Sequence, residues 1–375
     1  MITKFLPLPA DSGGKQRSLA ILRRLAGLGE VTLCAFDDGR ADHRALADLG
    51  VEVRTTTWSP KPWSALRAGS VTVGRFRDDA LDQAVGAEAR ARPPDLLQVE
   101  YLQMAQYAHG TDAPLRVIDL HNIESGLLAS QGRSRRPPAA AAMRVEAALL
   151  GLHERRARHR FDVVTVVSDE DAAHLPGQGG EILVCPNGVN PTARLAPSEA
   201  PVVVFVALLG WAPNADAAVW LARDIWPLVR RRVPAATLRL VGRDPGAEVR
   251  RLEQPGVHVT GSVADVTPHL HDARVAVAPL RAGGGTRLKI LEALAVGRPV
   301  VSTTLGAEGL GDLVGDGLVL ADGAAGFADA LVDLLVDPRR CAELGQLGHD
   351  AVHRRYVWDK TLAPLVDRIT ALPRA

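Results

Sequence analysis

The chain has 375 residues, 47% hydrophobic and 23% charged, enough for two cores of ordinary domain size and too apolar for a disordered chain. Its 44 Lys and Arg against 43 Asp and Glu leave a net charge of +1, so nothing global favours nucleic acid or an acidic partner. Three scattered cysteines (Cys34, Cys185 and Cys341) make neither a disulfide framework nor a metal pattern, and no apolar run nears the ~18 residues of a membrane span. With Lys4, Pro7, Pro9 and Asp11 interrupting the region where a signal peptide needs apolar residues, a cytoplasmic protein is expected.

Short apolar, β-rich runs alternate with helical patterns throughout, as in parallel sheets covered by helices on both faces. In the first half, strands are expected at residues 2–6, 31–36, 51–57, 96–100, 115–120, 163–168 and 182–185, with the first clear helix at 19–28. Residues 191–201 (PTARLAPSEAP) carry three prolines and no apolar period, so they read as a linker. A second alternation follows, with strands at 202–209, 236–241, 257–260, 275–280, 299–302 and 318–320 and helices near 215–231 and 287–296. The expected division is an N-terminal domain at 1–190, the linker, a C-terminal domain at 202–355, and a helical tail at 356–375 that crosses back to the first domain.

Residues 273–310 (ARVAVAPLRAGGGTRLKILEALAVGRPVVSTTLGAEGL) are the most informative. A buried strand runs into Gly283, Gly284, Gly285 and Thr286, and a helix follows with Leu288, Leu291, Leu294 and Ala295 at three- and four-residue spacing. A glycine-rich turn from strand to helix presents backbone N–H groups and a positive helix end, where a diphosphate fits. Arg287 and Lys289 put two cations in the first turn, against the helix dipole unless an anion neutralises them. Glu292 shares a stripe with Leu288, Ala295 and Val296, so its carboxylate needs donors such as a ribose diol, or an ion pair with Lys289 or Arg287.

This stretch resembles the donor-site signature of family 4 retaining glycosyltransferases, which have the GT-B fold. Further similarities run in family order: FVALLGWAPN at 205–214, LRLVG at 238–242, VTG at 259–261, CPNGV at 185–189, and more loosely PADSGG at 9–14 with Arg17, and DLHN at 119–122. The resemblance implies an α/β protein of two doubly wound, Rossmann-like domains facing each other across a cleft. It also implies that the C-terminal domain holds the nucleotide, with Glu292 on the ribose hydroxyls and Arg287 and Lys289 at the diphosphate. Two departures leave the donor sugar open. Gly284 stands where many members carry a first glutamate, and Gly210, Trp211 and Asn214 occupy the region where an arginine and lysine are usual.

In the first domain, Gly13 and Gly14 follow the first strand and can bring N–H groups to the donor, although a plain loop would use the same glycines. His121 ends the fifth strand, with Asp119 placed to orient it. The family's histidine there approaches the reacting carbon, whereas a lone strand-end histidine is also an ordinary structural group or cap. Arg17, Asn122, Trp58 and Trp63 are candidates for the acceptor, the tryptophans as a stacking platform or as loop packing. Arg133, Arg135, Arg136, Arg144, Arg155, Arg156, Arg158 and Arg160 make residues 133–160 basic, which suits an anionic acceptor, peripheral membrane contact at the inner face, or a solvated helix balanced by Glu146 and Glu154.

The expected chemistry is retaining, metal-independent transfer from a UDP- or GDP-type sugar to a carbohydrate, lipid-linked or small natural-product hydroxyl, with no other cofactor and no nucleic-acid partner. Charge building on the leaving diphosphate calls for fixed N–H groups and cations, and no Asp-x-Asp motif stands near the donor turn. A sugar-nucleotide epimerase of the same fold and a non-catalytic nucleotide-sugar-binding subunit remain as alternatives. The absence of G-x-G-x-x-G after the first strand and of a G-x-x-x-x-G-K-[ST] loop argues against nicotinamide and kinase chemistry.

Overall fold

The computed structural model describes residues 1–60, 64–133, 137–283 and 287–372. The chain divides into two compact units, one made of Met1–Pro186 with Leu362–Ala375 and the other of Asn187–Thr361.

In the first unit the described strands are β1 (Ile2–Phe5), β2 (Val31–Asp37), β3 (Val51–Thr57), β4 (Leu96–Glu100), β5 (Leu115–Asp119), β6 (Val163–Val166) and β7 (Glu181–Val184). All pair in parallel, in the order β3-β2-β1-β4-β5-β6-β7. In the second unit β8 (Val202–Val206), β9 (Thr237–Val241), β10 (Val257–Gly261), β11 (Val275–Ala278), β12 (Val300–Ser302) and β13 (Leu318–Leu320) pair in parallel in the order β10-β9-β8-β11-β12-β13. Each sheet thus reverses its winding once, between β1 and β4 and between β8 and β11. Open sheets of this kind leave a crevice beyond the carboxyl ends of the strands at that reversal.

Burial on both faces of the sheet explains the near-continuous apolar strands. Along β8, Val203 and Phe205 join the core on one face with Trp226 and Phe327, while Val202 and Val204 join the other with Ile290 and Leu294. Successive side chains alternate between faces, so a strand covered on both sides has no room for the polar alternation of a half-exposed one. None of the described helices is long and apolar enough to cross a membrane.

Three helices differ from the sequence reading. The first runs Gly13–Ala26 rather than from residue 19, because the Ser12 hydroxyl accepts from Lys15 N and caps it. N-cap chemistry of this kind outweighs the helix cost of two glycines in the first turn. The helix expected at 215–231 starts at Ala212 and is interrupted by a π-helical turn at Leu221–Ile225 before resuming at Trp226–Arg232. The helix after β11 is Leu288–Ala295, with Arg287 as its cap residue rather than in its first turn.

Candidate active site

At the reversal of the second sheet, Lys289 in the helix after β11 reaches back toward the chain leaving β8. Its Nζ donates to Asn214 Oδ1 at 2.8 Å and stands 4.8 Å from the centroid of the Phe205 ring. Asn214 is fixed in turn, because its amide donates to the Leu208 carbonyl at 2.9 Å. Burial, reinforced by the neighbouring charge of Arg287 and only partly offset by Glu292, pulls the Lys289 pKa down to about 7. Arg287 is 7% exposed, and its guanidinium folds against Gly283, where a Cβ would lie 2.7 Å from Nη2. Gly283 holds φ +137°, a conformation open to glycine and rarely to other residues. Glu292 lies one turn further along the helix, half-buried. Gly284, Gly285 and Thr286 lie outside the described residues.

The first unit carries a buried polar network at the corresponding reversal. Arg17, 1% exposed, grips Asp119 with two parallel contacts, Nε to Oδ2 and Nη2 to Oδ1, both 2.6 Å. Its Nη1 donates to the Cys185 carbonyl at 2.8 Å. Burial alone would raise the Asp119 pKa, but the Arg17 guanidinium holds it below the usual carboxylate range. His121 Nε2 lies 2.9 Å from Glu100 Oε2 and 3.2 Å from Asp119 Oδ2. Glu100 is held by Gln98 Nε2 at 2.8 Å and the Ser18 hydroxyl at 3.2 Å. The Tyr101 ring stacks on the imidazole, and Lys4 Nζ sits 4.1 Å over the Tyr101 centroid. Burial lowers the Lys4 pKa to about 8, with Glu124 opposing.

Glu100, Asp119 and His121 are close enough to share a metal ion among the described residues. A dication there would have to displace Arg17 from Asp119 and strip Glu100 of its donors, so these residues fit a hydrogen-bonded network better than a metal centre.

Several expected roles change. Arg17, expected at the acceptor, is buried and engaged by Asp119 and the Cys185 carbonyl. Trp58 stacks on Phe76 at 5.9 Å, meets Phe5 edge-on at 5.4 Å and donates to the Arg75 carbonyl at 3.3 Å. It packs a loop; Trp63, the other half of the expected platform, lies outside the described residues. Asn122 is half-buried beside His121. Glu146 and Glu154 do not balance the arginines of helix Ala139–Arg160: Glu146 accepts from Val71 N, Thr72 N and the Ser70 hydroxyl, and Glu154 from Ser125 N and its hydroxyl. Of the basic stretch, Arg135 and Arg136 lie outside the described residues. Glu100, Tyr101 and Lys4 were not singled out from the sequence, although Gln98 and Glu100, two residues apart in a buried strand, share a face and signal a polar cluster there.

Comparison with known proteins bears on both units. Residues 200–337 match the family Glycosyl transferases group 1. Most of the second unit is therefore similar to that family. The family match covers β8 to the end of the helix Ala324–Val336 and so includes Asn214, Arg287, Lys289 and Glu292. A GDP-mannose-dependent alpha-(1-6)-phosphatidylinositol monomannoside mannosyltransferase of Mycobacterium tuberculosis is 32% identical over 249 residues, which is 57% of this chain. The counterpart in Mycolicibacterium smegmatis is 31% identical over 58% of the chain. The chain spans 63% of the length of the tuberculosis relative. Among solved structures, sucrose-phosphate synthase of Thermosynechococcus elongatus superposes with TM-score 0.73 at 18% identity, covering 99% of both chains. Anabaena HepE, solved with UDP and glucose, gives 0.70 at 17% identity over 99% of this chain and 100% of its own. At such identities the likeness is one of fold, and the fold of this chain is of the GT-B class, with two Rossmann-like units.

Proposed function

We propose that this chain moves a sugar from a nucleoside-diphosphate donor to an acceptor hydroxyl, with retention at the anomeric carbon and without a metal. The observation that carries this reading is the Lys289 to Asn214 contact across the reversal of the second sheet, with Arg287 at the N-cap position of the same helix. An ammonium pulled down to about 7 by burial regains its charge when an anion arrives, so the site favours a diphosphate that is gathering negative charge as it leaves. Glu292 then accepts from the ribose hydroxyls, and Gly283 with Gly284, Gly285 and Thr286 supplies backbone N–H groups. In the first unit, His121 is assigned to the donor sugar, the N–H groups of Gly13 and Gly14 to its phosphate side, and Asn122 to the acceptor. Front-face attack, in which the departing phosphate helps remove the acceptor proton, needs none of the paired carboxylates of a hydrolase.

The mycobacterial relatives are named for GDP-mannose and HepE was solved with UDP and glucose, so GDP-mannose and UDP-glucose are the donors to offer first. A lipid-linked or carbohydrate hydroxyl is the acceptor class. GDP or UDP at about 100 times its dissociation constant should stabilise the protein by roughly 2.7 kcal/mol. Glu292→Ala and Lys289→Met should each diminish that gain. Transfer assayed with and without a chelator, with the product anomer read by NMR, tests the rest. Melting indifferent to both nucleotides would remove the donor site, and an inverted product would remove retention.

A further inference from the structure

The first unit holds a cavity of about 380 Å³ that includes none of Arg17, Glu100, Asp119 or His121 in its lining. Arg67, Arg77, Arg156 and Arg160 converge on it from three separate segments of the chain. Its floor is apolar and fixed, formed in part by Val73, Leu102 and Ala157, each 3% exposed. Tyr107 stiffens the wall, because its hydroxyl donates to the Phe76 carbonyl and accepts from Asp78 N at 2.8 Å.

The arginines around this cavity are not ion-paired with its carboxylates. Among the described residues none of the four arginines is within ion-pair distance of a carboxylate, although three aspartates share the lining. Asp78 is occupied capping the helix Asp79–Ala91, where its Oδ1 accepts from Ala80 N and Leu81 N, both at 3.0 Å. Asp82 stands 3.6 Å from His109, and Asp79 lies in the first turn of that helix, where the dipole favours a carboxylate. Glu146 and Glu154, the acidic residues of helix Ala139–Arg160, are turned to Ser70–Thr72 and Ser125 instead. Four guanidinium forks without carboxylate partners over a rigid apolar floor match a phosphate, whose oxygens accept paired N–H donors. The volume suits a small ligand. His153, also in the lining, has its pKa lowered by burial and by Arg156, as expected of an imidazole among unneutralised cations.

We infer that this cavity is a second anion site, separate from the residues assigned to the donor, that binds a phosphate-bearing ligand through Arg67, Arg77, Arg156 and Arg160. The phosphate belongs to a lipid headgroup or to a soluble phosphorylated compound, and the experiment separates these. Inorganic phosphate is titrated into the full chain at constant ionic strength, with chloride as control, while the imidazole resonances of His153 and His109 are followed by NMR. A parallel arm measures cosedimentation with phosphatidylglycerol and with phosphatidylcholine vesicles.

The expected result is a saturable shift with phosphate and none with chloride, and a dissociation constant raised on the order of tenfold in Arg156→Ala/Arg160→Ala. All four arginines are exposed, so their removal leaves the core intact; Arg67→Ala/Arg77→Ala, on a different segment, must give the same loss. Phosphatidylglycerol capturing the wild type and releasing both variants assigns the phosphate to a lipid. Phosphate binding without vesicle capture assigns it to a soluble compound. If neither phosphate nor phosphatidylglycerol binds, or if binding is indifferent to both double variants, the inference is overturned.

Discussion

The imidazole of His121 lies 3.7 Å from the ring of Tyr101, centroid to centroid and 18° from parallel. Tyr101 holds this position with a backbone φ of +73°, which an aromatic residue adopts at a cost of about 1–3 kcal/mol. Its N–H is anchored to the Asp119 carbonyl at 2.9 Å, so the same strand end that carries the His121 network also fixes the ring that covers it. Tyr101→Ala should remove a ring contact of about 0.5–1.5 kcal/mol together with its burial, and free the imidazole. Tyr101→Phe should keep the stacking. Urea unfolding should therefore separate the two variants by at least about 1 kcal/mol, and transfer should fall in Tyr101→Ala and persist in Tyr101→Phe. Equal behaviour of the two would mean that the ring plays no part in holding His121.

Gly14 is the other constraint on that ring. A Cβ there would stand 2.2 Å from the Tyr101 hydroxyl oxygen, closer than any real contact. Gly14→Ala should cost about 1–3 kcal/mol by overpacking. In a Tyr101→Phe background the offending oxygen is gone, so most of that cost should vanish. A double-mutant cycle on unfolding free energy measures the coupling directly, and additive effects would contradict the close approach.

The Arg17 to Asp119 pair makes a prediction in acid. A carboxylate whose folded pKa is depressed contributes stability that is complete above its unfolded value, about 3.9, and is lost as pH falls from there through the folded value. Arg17→Met leaves Asp119 buried without its partner and should cost roughly 3–5 kcal/mol at neutral pH. Burial then outweighs the contacts left to His121 and the Thr165 hydroxyl and raises the carboxyl pKa, so the variant should gain stability as pH drops toward 4 where the wild type does not. Urea midpoints followed from pH 7 to pH 4 test the sign.

Much of this architecture is legible in the amino-acid sequence, and the exceptions have physical causes. Strands at residues 51–57, 96–100 and 318–320 coincide with β3, β4 and β13, because β-prone runs bounded by turn residues mark a strand whether it is buried, like β4, or at a sheet edge, like β3 and β13. The start of helix Gly13–Ala26 is misplaced by propensity reasoning, since two glycines weigh against a helix while one serine cap decides it. The π-helical turn at Leu221–Ile225 leaves no local sign in sequence. Arg17 illustrates a different limit: its partners Asp119 and Cys185 are 102 and 168 residues away, and only the sheet order reveals that a cation near a glycine loop is buried rather than offered to a ligand. Arg287 and Lys289 could be singled out because cations at a helix start oppose the dipole whatever the tertiary structure.

Lys289 makes the proposed donor site a proton-linked one. Its folded pKa, about 7 against an ordinary 10.5, means that between those values the unfolded chain holds a proton the folded chain has lost. Stability should therefore rise with pH across that window, and the burial penalty should be fully expressed below about 7. Lys289→Met removes the ammonium and should flatten this part of the profile while raising stability near neutrality. A bound diphosphate reverses the balance by favouring the charged amine, so nucleotide binding at pH 8 should take up close to one proton, and affinity should weaken as pH rises from about 7. Calorimetry of GDP or UDP binding in buffers of different ionisation enthalpy counts that proton. An uptake that persists in Lys289→Met would assign it to another group, and no uptake in the wild type would mean that the diphosphate does not meet Lys289.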